Sequence, residues 1–212
     1  VLDSTNNVTG TGAVLPMNSA SRNHLFVGAT AHKIVVDPTP LPTGQVAVYA
    51  ALSGPNAASR GVWRSLNGGD TWTRIQAGQA TDVAFAPASR NANGNITVLY
   101  AAFRGEGVYR TANALNASTM TLLTGGGIMT PPQADDDGGR PLMTNPPAST
   151  PNGNKGRILL ATPTIANSPL ADTFYQGWLF AAVATAGGDL DGVYVTKDFG
   201  LNWTKIHLPA YV

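Results

Sequence analysis

From residue 25 onward, short apolar runs alternate with clusters of Gly, Pro, Asn, Asp and Ser. HLFVGAT, KIVVDP, VAVYAAL, GVWRSL and WTRIQ follow one another with turn residues between them. Their lengths and their β-branched and aromatic content predict strands joined into one antiparallel sheet, with HLFVGAT a short strand of its own. A helix would need apolar positions at 3.6-residue spacing sustained over about 10–12 residues, and no stretch supplies them. Residues 1–24 show neither period and are expected to form an extended arm.

The same order of runs then recurs. DVAFAP (82–87), ITVLYAAF (96–103), GVYRTA (107–112) and MTLLT (120–124) make a second unit. RILLATP (157–163), GWLFAAVAT (177–185), GVYVTK (192–197) and NWTKIHL (202–208) make a third. Val48-Tyr49-Ala50-Ala51, Leu99-Tyr100-Ala101-Ala102 and Leu179-Phe180-Ala181-Ala182 thus occupy one structural position. So do Gly61-Val62-Trp63, Gly107-Val108-Tyr109 and Gly192-Val193-Tyr194. Small Ala pairs suit a strand packed on both faces between neighbouring sheets, and repeats of about 40–50 residues with four strands each match the propeller unit. The prediction is an all-β propeller-like domain over 25–212, with four-stranded antiparallel blades at about 25–81, 82–124 and 157–212. Gly125 to Gly156 is too rich in Pro and Gly for a regular core element and is read as an insertion.

The strongest local signal is a turn. Ser65, Asn67, Gly69 and Trp72 align with Thr196, Asp198, Gly200 and Trp203 as Ser/Thr-x-Asp/Asn-x-Gly-x-x-Trp. A short Asp or Asn side chain at the turn entrance accepts backbone N–H bonds, Gly supplies positive φ, and Trp adds apolar area that closes the hairpin. In the middle unit the turn has decayed: Thr111 and Asn113 keep the first positions, but Ala114, Leu115 and Asn116 follow and no Trp closes it.

This spelling, with VVDP and VYAA ahead of SLNGGDTW, resembles the Asp-box or BNR repeat of β-propeller proteins. That superfamily includes xyloglucan-degrading endoglucanases, exo-sialidases, sortilin-type receptor ectodomains and the propeller assembly factor of photosystem II. The resemblance covers about 33–75, 82–124 and 157–208. It implies that the turn lies on the outer edge of a blade, away from the central ligand face, and so speaks for fold rather than catalysis. Propellers have typically 4–8 blades. Three are recognisable here, so the ring is expected to be completed by further blades of the same polypeptide, by other copies, or by a hidden blade, with a longer parent chain the favoured case.

Composition narrows the function classes. Only 12% of residues are charged and the formal net charge is +1, with no basic run, so neither nucleic acid nor an anionic membrane is an expected partner. No apolar run approaches the roughly 20 residues of a membrane span. Cysteine is absent, which removes disulfides and thiolate metal sites. Asn-x-Ser/Thr sequons at Asn7, Asn95, Asn116 and Asn202, in a low-charge, Thr- and Asn-rich chain, point to an extracellular, cell-surface or periplasmic location.

Candidate chemistry is sparse. Glu106, the only Glu, lies beside Arg104 in RGEGVY and reads as a solvated turn charge. Asp37 and Asp82 are expected at equivalent repeat positions, hence in a structural job rather than as the facing pair a glycosidase needs. Asp135, Asp136, Asp137, Asp189 and Asp191 are the candidate calcium ligands, because oxygen-rich loops with Gly can hold Ca²⁺; no other cofactor is implied. His24, His32 and His207 lack metal-ligand spacing. Trp63, Tyr109 and Tyr194 share a repeat position and read as core. Trp178 breaks the repeat just after the loop TFYQG and is the candidate ligand-facing aromatic. The expected function is a non-enzymatic interaction or assembly module that presents loops to a protein or glycan. A fragment of a xyloglucanase- or sialidase-like glycoside hydrolase is the first alternative, and a peptide-binding receptor propeller the second.

Overall fold

The computed structural model describes residues 26, 28–123, 156–164 and 169–206. Three four-stranded antiparallel meanders follow one another. The first holds β1 (Thr30–Val36), β2 (Val48–Ser53), β3 (Gly61–Ser65) and β4 (Thr73–Gln76). The second holds β5 (Ala80–Phe85), β6 (Leu99–Phe103), β7 (Gly107–Thr111) and β8 (Thr121–Leu122). The third holds β9 (Ile158–Ala161), β10 (Leu179–Ala184), β11 (Leu190–Thr196) and β12 (Thr204–Ile206), with a short helix α1 (Pro169–Phe174) between its first two strands. Sheet order equals chain order, and the sheets pack face to face in sequence. This is the arrangement of consecutive blades in a propeller.

The described residues of HLFVGAT do not make a strand of their own. Phe26 and Gly28 lie in a turn, Gly28 at φ 77, and the strand starts at Thr30. Phe26 instead caps the outer part of the first sheet, its ring meeting Trp63 and Trp72 edge-on at 5.4 Å each. Phe26 is thus spent on packing rather than pairing.

Register makes the repeat concrete. Ile34 pairs with Ala50, Val83 with Ala101 and Leu160 with Ala181, so these three inner-strand residues are equivalent. One face of each blade, here called leading, meets the other face, called trailing, of the next. Val35, Tyr49, Ala51, Val62 and Ile75 of blade one pack on Ala80, Val83, Leu99, Ala101 and Phe103 of blade two. Ala84, Tyr100, Ala102, Val108 and Leu123 of blade two pack on Ile158, Leu160, Leu179, Ala181 and Val183 of blade three. Both faces of β6 are therefore buried, which is why its apolar run is continuous and only Ala fits where sheets approach most closely.

Polar clasps cross the same seams. Gln79 accepts from Gly54 N–H at 2.9 Å and donates to Gly54 O at 3.1 Å, joining the second blade to the first. Thr81 Oγ1 donates to Ile158 O at 2.9 Å, joining the third to the second.

Candidate functional site

The recurrent turns come first because the sequence singles them out. Ser65 Oγ accepts Gly69 N–H at 2.8 Å and donates to Asn67 Oδ1 at 2.9 Å, while Asn67 Oδ1 accepts Thr71 N–H at 2.8 Å. Thr196 Oγ1 accepts Gly200 N–H at 2.9 Å and donates to Asp198 Oδ1 at 2.7 Å, which accepts Asn202 N–H at 2.9 Å. Gly69 and Gly200 take φ 103 and 88. Trp72 Nε1 donates back to Gly69 O at 2.9 Å, whereas Trp203 buries its ring in the core between blades two and three. The Ser65, Asn67, Thr196 and Asp198 side chains bond within their own turns, while Trp203 Nε1 is buried without a hydrogen-bond partner among the described residues. These residues build corners.

Asp37 and Asp82 are both buried, but they are not equivalent. Asp82 pairs with Ala102 as Lys33 pairs with Ala51, so Asp82 corresponds to Lys33, and Asp37 lies past the end of β1. The similar spelling of IVVDP and DVAFAP hides a shift along the inner strand: Asp82 sits near its start, and Asp37 sits past its end, where Ala86 stands in blade two. Their jobs nevertheless agree. Asp37 accepts Ile96 N–H at 2.7 Å from the next blade, and Asp82 accepts Leu160 N–H at 2.7 Å from the blade after. Lys33 Nζ reaches Asp82 at 2.9 Å, closing a chain of contacts through three inner strands. A buried carboxylate that bonds a neighbour's unpaired strand N–H is a seam element, and both oxygens of Asp82 are used.

Glu106 is a second difference. It is half-buried rather than a free turn charge, and accepts the Tyr109 hydroxyl at 2.9 Å. Burial first, then this bond to a carboxylate, pushes the Tyr109 phenol up to about 12, so it stays a protonated donor at neutral pH. Asp191 accepts the Tyr194 hydroxyl in the same way, also at 2.9 Å and three residues apart. Repetition at equivalent hairpins marks a tie between strand and hairpin tip. Asp189 bonds through its backbone to Thr185. Among the described residues no three His, Cys, Asp or Glu side chains converge, and Asp135, Asp136 and Asp137 lie outside them. Trp63 and Tyr194 are core, as expected, with Trp63 Nε1 donating to Ser59 O at 2.8 Å.

Trp178 is where the repeat yields something new. TFYQG is not all loop: Thr173 and Phe174 end α1, which Pro169 opens at the first-turn position where its fixed φ suits a helix. The turn Tyr175–Gly177 then returns the chain to β10, and this excursion has no counterpart in the other blades. It gathers four rings. Trp178 lies 5.2 Å from Tyr175, 5.8 Å from Phe174 and 6.1 Å from Phe180, and Lys197 Nζ sits 4.4 Å from the Trp178 ring centroid. Phe174 and Tyr175 are 64% and 42% exposed, unusual for rings that could be buried. Trp178 and Tyr175 line a shallow cleft whose other walls include Pro87 of blade two, Pro163, Thr164 and Asp172. Aromatic walls with a carboxylate, a hydroxyl and a nearby ammonium make the described residues' best candidate for a binding site. A pattern break at Trp178 was the only signal for it in the sequence; α1 and Asp172 had none.

The chain is similar to the crystal structure of the Niastella koreensis GH74 enzyme, with 18% identical residues and a TM-score of 0.45, over 81% of this chain and 20% of that one. It spans about a fifth of that neighbour's length. No family model matches the chain, and no curated protein does.

Proposed function

We propose that this chain is a non-enzymatic interaction module, working outside the cytosol, whose Trp178 cleft holds a glycan. The observation that carries the reading is the edge-on contact of exposed Tyr175 with Trp178 in the lining of a cleft that Asp172 also lines. Aromatic faces are electron-rich and attract the weakly positive C–H faces of pyranose rings, while a carboxylate and a hydroxyl take up sugar hydroxyls. A shallow open groove suits a chain threading past better than a small molecule enclosed. The rest of the blade stack acts as a rigid support, since its polar groups are largely committed to corners and seams.

Isothermal titration of the chain with soluble β-glucan and xyloglucan oligosaccharides tests this. Saturable binding, weakened about tenfold or more in Tyr175→Ala and Trp178→Ala, is the expected result, because one lost stacking contact of about 1.4 kcal/mol is tenfold in affinity. No binding, or binding that neither variant alters, overturns it. Appearance of shorter sugars that ceases in Asp172→Asn would replace it with the hydrolase reading.

A further inference from the structure

Two arginines depart from the repeat at the end of the blade stack where the inner strands start. Arg104 stands where blades one and three have Ser53 and Ala184, and Arg157 where blades one and two have Thr30 and Gln79. No seam therefore needs a charge at either place. Both side chains are exposed, and among the described residues neither guanidinium forms a hydrogen bond or an ion pair. Arg64, Arg74 and Arg90, by contrast, donate to carbonyls, and Arg110 lies over a ring.

Bonded contacts bring the two arginines to the same end as His32. His32 is the extra residue of a bulge in β1, between Ala31 and Lys33, and its Nε2 lies 2.6 Å from Ser53 Oγ. Gly54, next in the chain, is held at both its N–H and its carbonyl by Gln79, whose own carbonyl accepts Arg104 N–H at 2.9 Å. Thr81, the matching bulge residue of β5, bonds Ile158 N–H and Ile158 O at 3.3 and 2.9 Å, and Arg157 directly precedes Ile158. Each of three blades thus supplies one basic side chain here.

The local charge is unbalanced. Burial first, then Arg157 and Arg104, hold the His32 imidazole below its ordinary pKa, and Asp82 offsets this only in part. Asp82 is already occupied by Val83 N–H, Leu160 N–H and Lys33 Nζ. Glu106 and Asp191, on the adjoining hairpins, take up the Tyr109 and Tyr194 hydroxyls, and Asp189 pairs with neither arginine.

We infer that this end of the stack binds a tetrahedral oxyanion of the phosphate or sulfate class, with Arg104 and Arg157 as its charge partners and the His32 and Ser53 pair as a neutral donor. Whichever tautomer His32 takes, one donor of that pair stays free of their mutual bond. A planar carboxylate is met edge-on by a single guanidinium. Donors from three blades approach from separate directions, and two unpaired positive charges match a group that carries roughly two negative ones. The Trp178 cleft lies beyond the opposite ends of the inner strands, at Ala86, Pro87 and Pro163, so this site does not depend on the glycan reading.

Two-dimensional NMR of the full 212-residue chain, titrated with sodium sulfate and sodium phosphate against sodium chloride at equal ionic strength, tests the site. Saturable shifts at the Ser53, Gly54, Arg104 and Arg157 amides are expected with the oxyanions alone. Affinity should fall at least about threefold in Arg104→Gln and in Arg157→Gln. Both positions are exposed, so the variants keep the fold, and circular dichroism checks that. With sulfate bound, the His32 ring should titrate at higher pH, because the anion offsets the arginines' repulsion of its proton. Glucose 6-phosphate and glucose 6-sulfate distinguish the source. Tighter binding than the inorganic ion assigns the site to an ester on a larger ligand, weaker binding assigns it to the free ion, and either result sustains it. Shifts that chloride reproduces, binding that neither arginine variant weakens, or an unmoved His32 titration overturns it.

Discussion

The corners of blades one and three differ from the corner of blade two in a way that separates a fold requirement from one chemical solution to it. All three share one bond. Gly68 N–H donates to Val46 O, Ala114 N–H to Thr97 O and Phe199 N–H to Gly177 O, at equivalent places ahead of the second strand. In blades one and three the chain then passes through left-handed backbone, with Gly68 at φ 70 and Phe199 at φ 61, each followed by a glycine at positive φ. In blade two, Ala114 and Leu115 stand there and neither has positive φ. The corner winds right-handed instead, with Asn116 and Ala117 N–H both donating to Asn113 O. That leaves outward carbonyls, and Arg64 of blade one donates to Ala114 O and Ala117 O at 3.0 Å each. Its counterpart Arg110 lies over the Phe199 ring at 4.9 Å, so each arginine serves the corner of the following blade. The corner needs one backbone latch and a way to satisfy its remaining groups. Serine, asparagine and glycine do this locally, and an arginine across the seam does it from outside.

The sharpest way to break this contrast is Gly200→Ala. At φ 88 an added Cβ is strained, and it would stand 2.3 Å from Leu123 Cδ1 of the neighbouring blade. A loss of about 2–3 kcal/mol is expected in urea unfolding, against about 1 kcal/mol or less for the reverse change Ala114→Gly in the right-handed corner. Equal costs would mean that handedness does not distinguish the corners.

Arg64→Ala comes next. Stranding two carbonyls should cost about 1–3 kcal/mol, and hydrogen exchange should quicken at the Asn116 and Ala117 amides while the Ser65 turn keeps its protection. Unchanged exchange at those amides would show that the right-handed corner stands without the arginine.

The smallest effect concerns acid. Burial alone would raise the Asp198 carboxyl, but bonds from Asn202, Thr196 and Leu201 together hold it below its ordinary value. A depressed carboxyl stabilises the folded state above the unfolded pKa of about 3.9, and that contribution is lost as pH falls through the lower folded value. Asn67 and Asn113 occupy the same place in the other blades and do not titrate. Subtracting the unfolding midpoints of Asp198→Asn from those of the native chain should therefore leave a difference that is constant above pH about 4 and shrinks as pH falls below it. A flat difference would remove the carboxylate from the corner's stability.

Much of this fold is legible in the residue pattern because strand pairing and corners are local. Period-two runs, Ala pairs and the Ser/Thr-x-Asp/Asn-x-Gly-x-x-Trp spacing each describe contacts within about forty residues, so three four-stranded sheets and their corners could be read directly. The sequence alone determined the three four-stranded sheets of the described residues, their strand order and the two Ser/Thr-x-Asp/Asn-x-Gly-x-x-Trp corners. Only the tertiary structure decided the rest. That Asp82 corresponds to Lys33 rather than Asp37 depends on the register of β1 on β2 and of β5 on β6, which the spelling does not fix. That Arg64 serves Ala114 and Ala117, and that Pro87 of blade two walls the Trp178 cleft, depends on which blade faces which. Those contacts join residues far apart in the chain, and no local periodicity encodes a seam.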